Sequence, residues 1–135
     1  HDFKVIGSIK DQLLVLTNYK APMGRLIVVN TQNPEENNWG TLITESEHVL
    51  EDARILNQQI VAKYTRNASS HVKLFSLEGE IMDELVLPAL GTVEDIIVDE
   101  QNATFYFSFQ SFVQPLSIYQ YNFEIRPKLD SCQEK

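Results

Sequence analysis

Five ionisable side chains crowd into the stretch from residue 45 to residue 52: Glu45, Glu47, His48, Glu51 and Asp52. Carboxylates gathered beside an imidazole can do acid/base chemistry, because a neighbouring charge pushes one carboxyl towards neutrality, where it can move a proton. The plainer reading, and the one the sequence favours, is a solvated loop. A milder role is open to Glu51 and Asp95, 44 positions apart, each close behind a valine (Val49, Val93) that begins an apolar stretch. Set equivalently near a central channel, they would give its mouth a negative potential that favours cationic peptides. Nucleophilic catalysis has no visible machinery, since no Gly-x-Ser-x-Gly elbow occurs and no catalytic residues are expected. His1, His48 and His71 are dispersed, so no metal set is expected and His71 reads as a surface residue. The lone Cys132 cannot form an internal disulfide and falls in what reads as a frayed tail, residues 131–135. No cofactor is suggested.

The elements that hold these residues follow from composition and pattern. The chain has 135 residues, 43% of them hydrophobic and 22% charged, enough for one packed domain over 1–135. Eleven basic against nineteen acidic residues give a net charge of −8, which excludes a nucleic-acid groove because phosphate binding needs a basic footprint. No apolar run approaches the ~20 residues of a membrane-spanning helix, so no membrane partner is expected. The opening His1-Asp2-Phe3-Lys4 does not read as a signal peptide.

Short runs rich in β-branched and aromatic residues, such as Leu26-Ile27-Val28-Val29 and Phe105-Tyr106-Phe107, alternate with turn clusters such as Ala21-Pro22-Met23-Gly24. Runs of this kind read as strands, and the fold expected is all-β. One helical turn is expected at Asn33-Pro34-Glu35-Glu36, with Asn33 as cap and Pro34 at the first helical position. The runs also repeat: Leu26, Val72 and Ile118 recur at a step of 46 (72 − 26 and 118 − 72). A period near 45 carrying about four short strands is the mark of β-propeller blades. The expected architecture is a partial propeller of three four-stranded antiparallel blades, at roughly 3–45, 46–90 and 91–130. The strands are placed at 4–9, 12–19, 25–30 and 40–44, then 49–56, 59–65, 72–77 and 81–87, then 93–98, 103–110, 117–123 and about 127–130. Three blades leave two flanks bare, and the aromatics Phe105, Phe107, Phe109, Tyr119, Tyr121 and Phe123 are expected partly to face solvent or to form inter-blade core. Trp39 is expected to plug a blade edge. Asn67-Ala68-Ser69 and Asn102-Ala103-Thr104 are glycosylation sequons in predicted turns.

An ordered series of short stretches carries a further signal. It runs from Leu16-Thr17-Asn18-Tyr19-Lys20-Ala21-Pro22 with Arg25-Leu26, through Asn33-Pro34 to Trp39, to Val49-Leu50-Glu51. It continues through Leu87-Pro88 and Gly91-Thr92-Val93 to Phe105-Tyr106-Phe107-Ser108-Phe109, Ser111-Phe112, Pro115 and Ile118-Tyr119-Gln120-Tyr121. In order and spacing these resemble the prolyl oligopeptidase family of serine peptidases, in the C-terminal three blades of its seven-bladed propeller. The resemblance implies a non-catalytic piece of a larger protein. Its parent would cleave short peptides after proline with a separate α/β-hydrolase domain, and the propeller would gate entry. Partners would be the remaining blades and that hydrolase domain, in a cytoplasmic setting with the periplasm as alternative. The competing expectation is a self-standing protein-binding module whose bare flanks pair with a second copy, as a homo-oligomer, or with another chain. A hydrolase built on the acidic cluster is a distant third.

Overall fold

In the computed structural model, residues 2–85, 87, 90–111, 113, 115–124 and 129–131 are described; His1, Cys132 and the rest of the 132–135 tail lie outside them. Among the described residues, twelve strands form three four-stranded antiparallel meanders. The first sheet takes β1 (Phe3–Ile9), β2 (Gln12–Thr17), β3 (Arg25–Asn30) and β4 (Gly40–Ile43). The second takes β5 (Val49–Leu56), β6 (Gln59–Arg66), β7 (Ser69–Ser76) and β8 (Ile81–Leu85). The third takes β9 (Thr92–Asp99), β10 (Thr104–Gln110), β11 (Ser117–Asn122) and β12 (Leu129–Ser131). Strands appear where short β-branched runs end in turn chemistry. The β2–β3 turn, for example, is closed by the Gly24 amide on the Ala21 carbonyl at 2.8 Å, with Pro22 second in the turn. The expected helical turn is a 3-10 turn at Glu36–Asn38 whose cap position is Glu35, with no side-chain cap bond; Asn33 instead bonds back to Asn30.

The sheets stack face to face. Leu14, Leu16, Leu26 and Ile43 meet Leu50, Ala53, Ile60, Ala62, Tyr64 and Phe75 of the second sheet. On its other face the second sheet sets Val61, Val72 and Leu74 against Val93, Ile96 and the third sheet's aromatics. Because β6 and β7 are covered on both sides, their apolar residues run on where a half-exposed strand would alternate. Leu26 and Val72 thus lie on matching faces, each turned towards the following sheet. Ile118 has the same orientation but no following sheet, and is 40% exposed. The aromatics Phe105, Phe107, Phe109, Tyr119, Tyr121 and Phe123 do not face solvent: all six are buried, because they alternate onto the side that meets the second sheet. Phe105 lies 5.3 Å from Tyr121 and 6.2 Å from Phe107, ring centre to ring centre.

The first strands of the sheets meet one another, β1 with β5 and β5 with β9. A backbone hydrogen bond ties each joint, with its donor on opposite sides in the two. The Leu50 amide donates to the Met23 carbonyl at 2.8 Å, and Gly24 comes so close (φ +89°) that a Cβ there would lie 2.9 Å from the Leu50 oxygen. At the second joint the Ser70 amide donates to the Gly91 carbonyl, while the Ser70 hydroxyl accepts from the buried Val93 amide at 2.9 Å. Replacing Ser70 by Ala orphans that amide. The expected loss is about 1–3 kcal/mol in urea unfolding, and a change too small to measure would refute the tie.

Candidate functional site

The acidic cluster disperses into separate pairs. The amide of Met23 donates to the Glu45 carboxylate at 2.7 Å, and the Arg66 guanidinium pairs with Glu47 at 3.0 Å. Glu51 is taken by Lys63 at 3.3 Å, and Asp52 by Lys4 at 3.1 Å and Arg54 at 3.3 Å. Glu47, Glu51 and Asp52 each have their own counter-ion and Glu45 is held by a backbone amide, so no two of these carboxylates share a proton and the acid/base reading fails. The paired-acid signal in the sequence came from side chains that diverge at a bend and along one strand.

The same stretch makes a contact the sequence did not indicate. His48 lies ring to ring with His71 at 5.0 Å and against the edge of Tyr64 at 6.3 Å. Tyr64 is buried, which pushes its phenol up to about 12, and the Lys73 ammonium sits 5.0 Å above its ring. Partial desolvation, then His71, Lys73 and Arg66, hold the His48 imidazole below its ordinary value of 6.5, against a weak opposite pull from Glu47. Glu84 stands 3.8 Å from His71 Nδ1. No group of three or more metal-ligating side chains occurs among the described residues. A histidine held below its unfolded pKa favours the folded state fully above that value, and the contribution fades as pH falls through the lowered pKa. Stability is therefore expected to drop slightly on acidification below about pH 6.5, with a shallower drop in His48→Gln. Identical acid profiles for the two proteins would contradict this.

Glu51 and Asp95 sit on the first strands of consecutive sheets, each in a register break. The pairing slips between Leu50 and Asp52 in β5, and between Glu94 and Ile97 in β9, where Asp95 has φ +50°. Leu50 and Val93 both turn to the preceding sheet, at a step of 43 (93 − 50), so Glu51 corresponds to Glu94 and Asp52 to Asp95. This corrects the alignment at 44, which matched Val93 with Val49: Leu50 is buried whereas Val49 is 37% exposed, and two adjacent apolar residues do not say which of them turns inward. Both Glu51 and Asp95 are exposed.

Two clefts open at the same end of the sheets. One, of about 550 Å³, lies between the second and third sheets and is lined by Asn67, Ser69, Gly91, Glu94, Ser108 and Leu116 among others. The other, of about 400 Å³, lies between the first and second and is lined by residues including Asp2, Lys4, Thr17, Gly24 and Glu51. Neither brings a histidine to a hydroxyl among its described lining residues. The arrangement can bind or exclude, with Glu94 and Glu51 as its acids. Of the two sequons, Asn67 lies in an exposed turn, whereas Asn102 donates to Asp99 at 2.8 Å and Thr104 is buried. Trp39 does pack at the edge of the first sheet, against Phe3 at 6.1 Å and Tyr19 at 6.0 Å, and its indole N–H donates to the Pro34 carbonyl.

This geometry has close counterparts. A family model described as "Prolyl oligopeptidase, N-terminal beta-propeller domain" matches residues 1–128. The prolyl endopeptidase of Elizabethkingia meningoseptica is 28% identical over 112 residues, and that of Elizabethkingia miricola 26% over 114. The alignments cover 83% and 84% of this chain but 16% of each relative, so the chain spans about a sixth of their length. A solved prolyl endopeptidase superposes with a TM-score of 0.82 at 25% identity, over 98% of this chain and 20% of that one. Apo prolyl oligopeptidase B from Galerina marginata shares the fold, with a TM-score of 0.86 at 22% identity over 96% of this chain and 19% of that one. The match is to the family's N-terminal domain, which corrects the sequence-based placement in C-terminal blades: short blade motifs repeat and do not number the blades they come from. Three stacked four-stranded sheets of a β-propeller and a match over nearly the whole length lead to one conclusion: the chain belongs to the prolyl oligopeptidase family, within its N-terminal β-propeller domain.

Proposed function

We propose that this chain is a non-catalytic section of the propeller of a prolyl oligopeptidase-like serine peptidase, one unit over 1–135 with blades near 3–45, 46–90 and 91–130. The parent cleaves short peptides after proline in a separate α/β-hydrolase domain, and the propeller limits which peptides reach it. The observation that carries this reading is the family match over residues 1–128 on three stacked blades. The names of the two Elizabethkingia relatives support the activity of the parent. The dispersal of the acidic cluster into separate pairs agrees with a role for this section in access rather than in bond cleavage. A fluorophosphonate serine probe tests it: the chain alone should take no label, and in the full-length protein the labelled peptide should fall outside residues 1–135. A label within them would refute the proposal.

Glu51 and Asp95 supply negative potential on the first strands, near the channel mouth. Lys63 offsets Glu51, so Asp95 carries the larger share. In the full-length peptidase, Glu51→Gln with Asp95→Asn should lower the preference for cationic over neutral peptides roughly threefold in kcat/KM at low salt, and less at high salt. An unchanged preference would remove these residues from the account.

A further inference from the structure

The larger of the two clefts holds an acid without a counter-ion. Both of its walls, the second and third sheets, lie within this chain. Glu94 lines it, is exposed and forms no ion pair among the described residues. No basic side chain occurs among the described lining residues. The smaller cleft is built differently. There the corresponding acid, Glu51, is neutralised by Lys63 at 3.3 Å, and Lys4 lines the wall. Leu50 pairs with Tyr64 across β5 and β6, and Val93 pairs with Phe109 across β9 and β10. The residue before Tyr64 is Lys63, whereas the residue before Phe109 is Ser108. A serine therefore stands where the other joint has its cation, and its hydroxyl donates to the Glu94 backbone carbonyl at 3.3 Å. Asp95, next along the strand, is exposed and adds to the same negative potential. Around the acid, Leu90 (79% exposed) and Leu116 (60%) give the cleft an apolar lip. Asn67 and Gln110 also line it, and a side-chain amide can accept from a cation through its carbonyl oxygen. We infer that this cleft of about 550 Å³ binds an organic cation, an ammonium or guanidinium carried next to an apolar residue. Glu94 supplies the opposite charge, and the lip takes the apolar neighbour.

That the cation arrives on a peptide rests on the reading of the chain as part of a peptidase propeller. Ligand-observed saturation-transfer NMR on the full-length protein, at low salt, measures the binding. The probe is an acetylated, proline-free pentapeptide of glycine and leucine with a central lysine; a second peptide carries norleucine in its place. The lysine peptide should bind about fivefold tighter, the upper end for an exposed ion pair, and the margin should shrink as salt is added. Glu94→Gln should erase the margin. Ser108→Lys should erase it too, by supplying the counter-ion that Lys63 supplies to Glu51. Far-UV circular dichroism checks each variant, and either one decides the matter if the other does not fold. A third probe, the norleucine peptide with a free amino terminus, separates the sources of the cation. If it gains the same margin, and loses it in Glu94→Gln, the cleft takes any ammonium; if it gains none, the cleft takes basic side chains. Equal binding of the lysine and norleucine peptides, or none of either, overturns the inference. So does a lysine preference that persists in the variants. The two failures are distinguishable: a cleft that binds nothing leaves a serine label outside residues 1–135 standing, and a label inside them leaves a margin lost in Glu94→Gln standing.

Discussion

Phe105→Ala is expected to lower the free energy of unfolding by about 4 kcal/mol, within the 3–5 kcal/mol range for truncating a fully buried phenylalanine. Phe105 has no solvent exposure and touches Phe107, Tyr121 and Phe123 within ring-centre distances of 6.2 Å. Its removal costs the transfer of the ring and leaves a cavity lined by rigid aromatics, which cannot collapse as aliphatic neighbours do. Against a typical total of 5–15 kcal/mol, such a loss takes the third sheet close to unfolding at 37 °C. Urea denaturation with an unchanged slope is the measurement. A loss below about 1 kcal/mol would mean that these rings do not form the joint between the second and third sheets.

Gly79→Ala should cost about 3 kcal/mol, from two sources. A residue with a Cβ at φ +90° loses roughly 1–2 kcal/mol. That Cβ would also stand 2.2 Å from the backbone oxygen of Leu42, so the β7–β8 turn must lift away from the first sheet. Backbone cannot rotate aside as a flexible side chain can. Gly40→Ala is the control, since nothing lies within 4 Å of its added carbon. The melting temperature should fall by several degrees in the first variant and stay near wild type in the second. Equal effects would show that the turn does not press on the neighbouring sheet.

The fold was legible in the sequence because it is repetitive. A step near 45, with Leu26, Val72 and Ile118 in register, survives the noise of any one strand, and the structure places all three on the same face of successive sheets. The turn at Ala21–Gly24 was legible for a local reason, as Pro22 and Gly24 fix its backbone. What hides from a linear reading depends on a third dimension or on which of two neighbours turns inward. Glu45, Glu47, Glu51 and Asp52 are dense in sequence yet diverge, because a bend and an alternating strand send the first to a backbone amide and the others to different cations. His48 and His71 are 23 residues apart and meet only because the linker into β5 folds back over β7. The inward turn of Leu50 rather than Val49, which aligns Glu51 with Glu94, is silent in a run of two apolar residues. Gly79 shows nothing of its approach to Leu42, whose partner surface lies 37 residues earlier (79 − 42).

Restriction of access by these blades in a full-length peptidase is the central proposal. The direct measurement is kcat/KM for a short proline-containing peptide and for one of about thirty residues. It is made in the full-length protein, with and without Val72→Ala, which loosens the joint between second and third sheets by roughly 1–2 kcal/mol without touching a cleft. Cleavage of the long peptide should rise several-fold while the short one is unchanged. Equal changes for both peptides, or none for either, would contradict a propeller that sorts substrates by size.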